Sequence, residues 1–221
     1  IKKYAKKSGN KYFVMRHGES ENNLLGINDC IVREKSFGLT EAGRKMAKET
    51  AVLVGNNQKI DLIFYSPLRR TKETAFLVAD VLKIDLKNVK EDKRLIEYQS
   101  GDFNGLPYDS LWKYYNNELE RFTKAPPNGE TFIDVNRRLG EFLYSLENEF
   151  KNKNILIVTH GDPGSLIQTI STGLSHEESI NYLKNNYLKI AEVRELPFVS
   201  LPHNKNFELD FHRPFIDQCE M

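Results

Sequence analysis

Two histidines in this chain share one local setting. His17 lies in FVMRHG and His160 in LIVTHG, each closing an apolar run and each followed by glycine. Arg16 stands directly before the first of them. A third apolar run, DLIFYS, passes into SPLRRT and brings Arg69 and Arg70. Arginine presents a planar fork of donors that matches phosphate oxygens in pairs. Imidazole offers a lone pair for nucleophilic attack and a proton to trade. Gathered at one place, these residues suggest phosphate binding with histidine as nucleophile or acid/base. A metal centre fits less well. His17 and His160 are not in HxH or HExxH spacing, and Arg16 would repel a cation. His176, His203 and His212 lack this setting and read as ordinary polar positions.

The gathering requires particular elements. YFVM (12–15), KIDLIFYS (59–66) and NILIVTHG (154–161) read as buried strands, and YLKIAEVREL (187–196) as a further strand. LTEAGRKMAKETAVLV reads as a helix capped by Thr40, and RRTKETAFLVADVL as a helix entered after Pro67. SLWKYYNNELERF also reads as helical. Phe132, Val135, Leu139, Phe142, Leu143, Leu146 and Phe150 recur at three or four residues, the buried face of a long helix. Ser175 and Glu178 form a capping box that starts another. Alternating strands and helices imply an α/β fold: a three-layer α/β/α sandwich with a mostly parallel central sheet. Ligands of such sheets collect beyond the carboxyl ends of the strands, where these histidines and arginines would meet.

Composition narrows the function classes. The chain has 221 residues and a formal charge of +1, so no global field marks a nucleic-acid binder. No apolar run approaches the ~20 residues of a membrane span, and no signal-peptide pattern opens the chain. Cys30 and Cys219 are far apart and outside any CxxC, so they read as reduced thiols in a cytoplasmic protein. Residues 1–11 are basic and aperiodic, a solvated arm. The first residue is isoleucine, and the expectation is a processed product or a piece of a longer chain.

Five ordered motifs carry a family resemblance. RHGESENN, SPLRRTKETA, LIEYQSGDFNGL, PPNGET and VTHG together resemble the phosphoglycerate mutase-like branch of the histidine phosphatase superfamily, from about Tyr12 to Leu196. The resemblance implies a phosphoglycerate mutase-like fold over 12–196 and metal-independent hydrolysis of a small phosphorylated substrate, with no cofactor. By the same resemblance His17 is the nucleophile and becomes a phosphohistidine. Arg16, Arg70 and His160 hold the non-bridging oxygens, Asn23 is a further donor, and Ser20 and Gly161 help bind substrate. Arg69 falls at the variable position of the SPLxR pattern. Glu97 matches the proton donor. Two alternatives stay open: a phosphoglycerate mutase, and a non-catalytic module that binds a phosphorylated ligand or docks.

The chain departs from the family pattern in places. Asn104 stands where a glutamate is common, which bears on loop packing. Asp162 follows VTHG and would disfavour a second negative charge if it points inward. The stretch NLLGINDCIVREKSFGLT fits loosely, with Gly38 where proline is common, so substrate identity does not transfer. Residues 197–221 form a C-terminal extension. Within it ELDFHRPFID resembles a segment of isoleucyl-tRNA synthetases. That resemblance implies a phosphatase-like domain inserted in a synthetase body, because insertion is tolerated where a domain's ends lie close together.

Overall fold

A computed structural model describes residues 8–33 and 36–197. Strands β1 (Lys11–Arg16), β2 (Leu62–Tyr65), β3 (Val89–Glu91), β4 (Asn154–Thr159) and β5 (Val193–Glu195) form one sheet in the order β3-β2-β4-β1-β5. The first four are parallel and β5 runs antiparallel to β1. The helices are α1 (Glu21–Leu25), α2 (Glu41–Asn57), α3 (Arg69–Leu82), α4 (Tyr108–Trp112), α5 (Phe132–Glu149), α6 (Gly161–Thr172) and α7 (His176–Asn186).

The sheet separates two cores. Ile155 and Ile157 of β4 enter one, and Leu156 and Val158 enter the other, so a strand covered on both faces reads as an unbroken apolar run. On one face α2 and α3 pack through Ala47, Ala51, Val54, Ala75, Val78 and Ala79. On the other face lie α5, α6 and α7. Helix α5 buries Phe132, Val135, Leu139, Phe142, Leu143 and Leu146 along one side. Each such side chain stabilises the fold by roughly 1.5–3 kcal/mol through burial alone. The result is the expected three-layer α/β/α sandwich.

The helix starts follow their caps. Thr40 accepts from the Gly43 N–H, and both Thr131–Asp134 and Ser175–Glu178 form capping boxes. Gly18 and Gly43 allow the tip of β1 to lie directly on α2. A Cβ on Gly18 would come within 2.2 Å of the Gly43 carbonyl oxygen.

Several elements differ from expectation. The strand expected over 187–196 shrinks to β5, because the preceding segment wraps the tip of β1. Ala191 takes φ 56 and donates its N–H to the His17 carbonyl, while the Leu188 carbonyl accepts from Arg16. SLWKYYNNELERF is broken into α4 and a short 3-10 turn, Glu118–Phe122. The break falls at Asn117, which caps the second piece by accepting from the Glu120 N–H. Helices α1 and α6 and the short β3 are additions to the expected set. Ser8 and Asn10 are tied to Glu147 and to the Phe150 carbonyl, so the end of the basic arm belongs to the fold. Residues 1–7 and the tail 198–221, with its synthetase-like segment, lie outside the described residues. Among the described residues no helix is long and apolar enough to cross a membrane.

Candidate active site

Register brings the two histidines together. Arg16 of β1 pairs with Thr159 of β4, so the next residue on each strand is a histidine. The ring centroids of His17 and His160 are 5.3 Å apart. Ser66 directly follows neighbouring β2, and its hydroxyl lies 2.6 Å from His160 Nε2. The first turn of α3 then delivers Arg70 across the tips.

The His17 ring is buried, and its Nδ1 lies 2.7 Å from the Gly18 carbonyl oxygen. A carbonyl only accepts, so Nδ1 carries the proton. Nε2 is therefore unprotonated, and its lone pair accepts from Arg70 Nε at 3.1 Å. Burial, with Arg70 and Arg16 nearby, holds the imidazole well below its usual pKa and keeps it neutral. His160 is likewise buried, and burial with Arg70 and His17 lowers its pKa too. Its Nδ1 has no hydrogen-bond partner among the described residues and lies 3.9 Å from Glu97 Oε2.

Glu97 follows the 3-10 turn Lys93–Leu95 and lines the cavity. Burial and the Asp162 carboxylate raise its pKa to about 7, against the opposing pull of Arg70 and Arg16. Its loop is clamped from below. Arg138 of α5 donates to the carbonyls of Arg94 and Glu97, and Glu130 bridges Arg138 to the Gln99 N–H. The glutamate of PPNGET thus positions the loop that carries Glu97.

Arg16 is half-buried, donates to the Leu188 carbonyl at 3.1 Å and lies 5.7 Å from the Tyr187 ring centre. Its Nε has no acceptor among the described residues. Asn23 lines the cavity, accepts from Ser20 through Oδ1 and donates to the Tyr108 hydroxyl. The six residues His17, His160, Arg16, Arg70, Glu97 and Asn23 therefore converge. Ser20 and Gly161 do not line the cavity. The Ser20 hydroxyl is buried against Asn22 and Asn23, and a Cβ on Gly161 would meet the Tyr187 hydroxyl. Both shape their neighbours instead.

The sequence reading missed the counter-charges. Asp29 provides one: Arg70 Nη1 donates to its Oδ2 and Nη2 to its main-chain oxygen, both at 2.7 Å. Asp29 is held by the loop around Cys30, whose N–H donates to Asn104 Oδ1 at 2.9 Å. Asp162 does face the cavity, but it is paired with Arg121 and accepts from the Tyr187 hydroxyl. Ser66 had a signal in its strand-tip position; Asp29 and Arg121 had none. The cavity measures about 430 Å³; His17 and Arg70 line it, whereas His160 is fully buried beside His17 and does not.

Comparisons with known proteins agree with this geometry. Residues 12–195 match the family model of the histidine phosphatase superfamily (branch 1). The chain is 30% identical over 185 residues to a 2,3-bisphosphoglycerate-dependent phosphoglycerate mutase of Bartonella tribocorum, covering 78% of this chain and 86% of that one. It is 29% identical over 158 residues to phosphoserine phosphatase 1 of Hydrogenobacter thermophilus, covering 69% and 72%. The fold superposes on a mycobacterial glucosyl-3-phosphoglycerate phosphatase in complex with VO3, with a TM-score of 0.70, 22% identity and coverage of 84% and 91%. On motifs, fold and family match alike, the chain belongs to branch 1 of the histidine phosphatase superfamily.

Proposed function

We propose that the protein hydrolyses phosphomonoesters through a phosphohistidine on His17. The observation that carries this reading is the His17 tautomer: Nε2 is unprotonated and held by Arg70, His17 and Arg70 both line the cavity, and His160 packs beside them. Nε2 attacks phosphorus in line and a P–N bond forms as the P–O ester bond breaks. Arg16, Arg70 and His160 hold the equatorial oxygens, where charge spreads in the transition state. The two ring centroids lie 5.3 Å apart, a closeness that supports one phosphoryl group contacting both. Glu97, protonated below about pH 7, gives its proton to the leaving alkoxide. As carboxylate it then takes a proton from water. The water oxygen attacks phosphorus, the P–N bond breaks and the lone pair returns to Nε2.

The test is p-nitrophenyl phosphate hydrolysis in EDTA by the parent and by His17→Ala. Loss of activity by at least three orders of magnitude in the variant is expected. Equal rates would overturn the reading.

A phosphoglycerate mutase is the alternative, favoured by the 30% identity to an enzyme of that name. Against it, the segment from Gly105 to Pro126 supplies only α4 and one short turn to cover the cavity, so water is not shut out. Isomerisation of phosphoglycerate with a bisphosphoglycerate primer, outpacing hydrolysis, would favour the mutase. A non-catalytic phosphate-binding or docking module is a third reading, and parent protein that binds phosphate without any turnover would support it.

The synthetase insertion is a separate proposal about context. Its support is the match in ELDFHRPFID together with the neighbouring ends of the domain. Phe13 of β1 pairs with Glu195 of β5, and the Leu196 N–H donates to the Tyr12 carbonyl.

A further inference from the structure

The cavity is larger than a phosphoryl group needs, and its lining is of two kinds. Arg16, His17, Asn23 and Arg70 supply cationic and donor groups. Tyr98, Tyr108, Leu111, Trp112, Leu183 and Tyr187 supply apolar and aromatic wall. Cavities with an apolar body and a few fixed polar groups take small organic ligands. Trp112 is 47% exposed at the rim, so the apolar wall continues outward.

One cation stands among these aromatic groups, and it is already taken. Arg121 lies with its guanidinium carbon 3.9 Å from the ring centre of Phe132, 4.6 Å from that of Trp112 and 5.0 Å from that of Tyr98. Its Nη2 donates to Asp162 Oδ2, and both side chains are largely buried, at 5% and 15% exposure. Asp162 sits in the first turn of α6, where the helix N-terminus favours a negative charge. The protein's own carboxylate thus occupies the place an anionic group of a substrate would seek. No lysine lines the cavity among the described residues. The lining holds the guanidinium groups Arg16, Arg70 and Arg121 against the carboxylates Asp29 and Asp162, with Glu97 protonated below about pH 7. Asp29 is shared with Arg33, whose Nη2 lies 2.6 Å from its Oδ1, so a phosphoryl dianion already uses up the remaining positive charge. A second anion on the same substrate would face Asp162 with no free partner.

We infer that this site takes phosphomonoesters whose leaving group is uncharged and apolar or aromatic, and that the Arg121–Asp162 pair excludes leaving groups bearing a carboxylate or second phosphate. The inference rests on the hydrolase reading and names its substrate class. The Arg121 Nε–H has no acceptor among the described residues. A neutral ether, carbonyl or hydroxyl oxygen, or a water, would satisfy it without adding charge. The relative named phosphoglycerate mutase handles a substrate with a carboxylate, so the inference separates this chain from it by chemistry.

The test compares hexyl phosphate with 3-phosphoglycerate at one pH. Both are esters of primary alcohols, so differences in kcat/KM report mainly how the leaving group is received. The parent is expected to favour hexyl phosphate by at least tenfold. Asp162→Asn frees Arg121 and is expected to narrow that ratio at least fivefold, by raising kcat/KM for 3-phosphoglycerate. Any effect of the substitution on Glu97 acts on both esters alike and leaves the ratio unmoved. If Asp162→Asn does not fold, the parent's ranking alone decides. A parent that processes 3-phosphoglycerate as well as hexyl phosphate, while His17→Ala abolishes p-nitrophenyl phosphate hydrolysis, overturns this inference and leaves the hydrolase reading standing. Loss of the His17 dependence overturns both.

Discussion

In the proposed cycle Glu97 gives up a proton and later takes one back, and both halves work best with a pKa near the working pH. Burial and Asp162 raise that pKa to about 7. The sign for catalysis follows. Below pH 7 the carboxyl is protonated and can serve the leaving alkoxide; above it the donor is lost, by tenfold per pH unit. The kcat/KM for an alkyl phosphate should therefore fall on a limb centred near pH 7. A nitrophenolate leaves without a proton, so its profile should stay flatter there. Glu97→Gln should cost about 10²–10⁴-fold on the alkyl ester and far less on the nitrophenyl ester. Equal losses on the two, measured side by side, would remove Glu97 from the donor role. Stability moves the other way. A carboxyl whose folded pKa lies above its ordinary 4.5 stabilises the fold only at low pH, and that contribution is lost as pH rises through about 7. Replacing it by glutamine should raise stability at pH 8, relative to pH 4, on the order of 2–3 kcal/mol in urea unfolding. No such gain at pH 8 would mean that the carboxylate is better solvated than its position indicates.

At the scale of elements, the site is held by three strand tips, one helix start and two loops. Arg70 is almost fully buried, and so is Asp29. Removing one partner of such a pair leaves a buried charge uncompensated, at a cost of about 3–5 kcal/mol. Asp29→Asn should lower the urea midpoint accordingly, and an unchanged midpoint would show that Arg70 finds another acceptor. The strand-borne part of this arrangement was legible in the sequence. His17, His160 and Arg70 are attached to apolar runs whose length and order determine where they end. The loop-borne part was not. Asp29 lies in a stretch with no periodicity, and its contact with Arg70 depends on how the loop folds back. Asn104, noted only as a departure from the family, turns out to hold the neighbouring Cys30 through both its N–H and its Sγ. Helix α6 escaped for a different reason. It is buried nearly all round, so no polar stripe marks its period, and its Ser165, Thr169 and Ser171 hydroxyls bond back to its own carbonyls. The strand expected over 187–196 had the right residue types, but its first half is spent on wrapping His17 and Arg16.

At the scale of the whole molecule, the sheet and its two cores are complete within the described residues, and Leu196 closes the last strand against Tyr12. Cutting the chain after Pro197 should therefore leave phosphatase activity within about twofold and stability within about 1 kcal/mol, a change the size of a surface substitution. Loss of folding would make residues 198–221 part of the domain and would weaken the insertion proposal. The central claim is the covalent step at His17, and the position and bond type of the trapped phosphoryl group test it most directly. Parent protein is mixed with p-nitrophenyl phosphate, quenched in alkali within milliseconds and mapped by mass spectrometry. The account predicts one phosphoryl group on His17, stable in alkali, labile in acid and absent from His17→Ala. A phosphoryl group on any other residue, or turnover by direct attack of water with inversion at phosphorus, would contradict it.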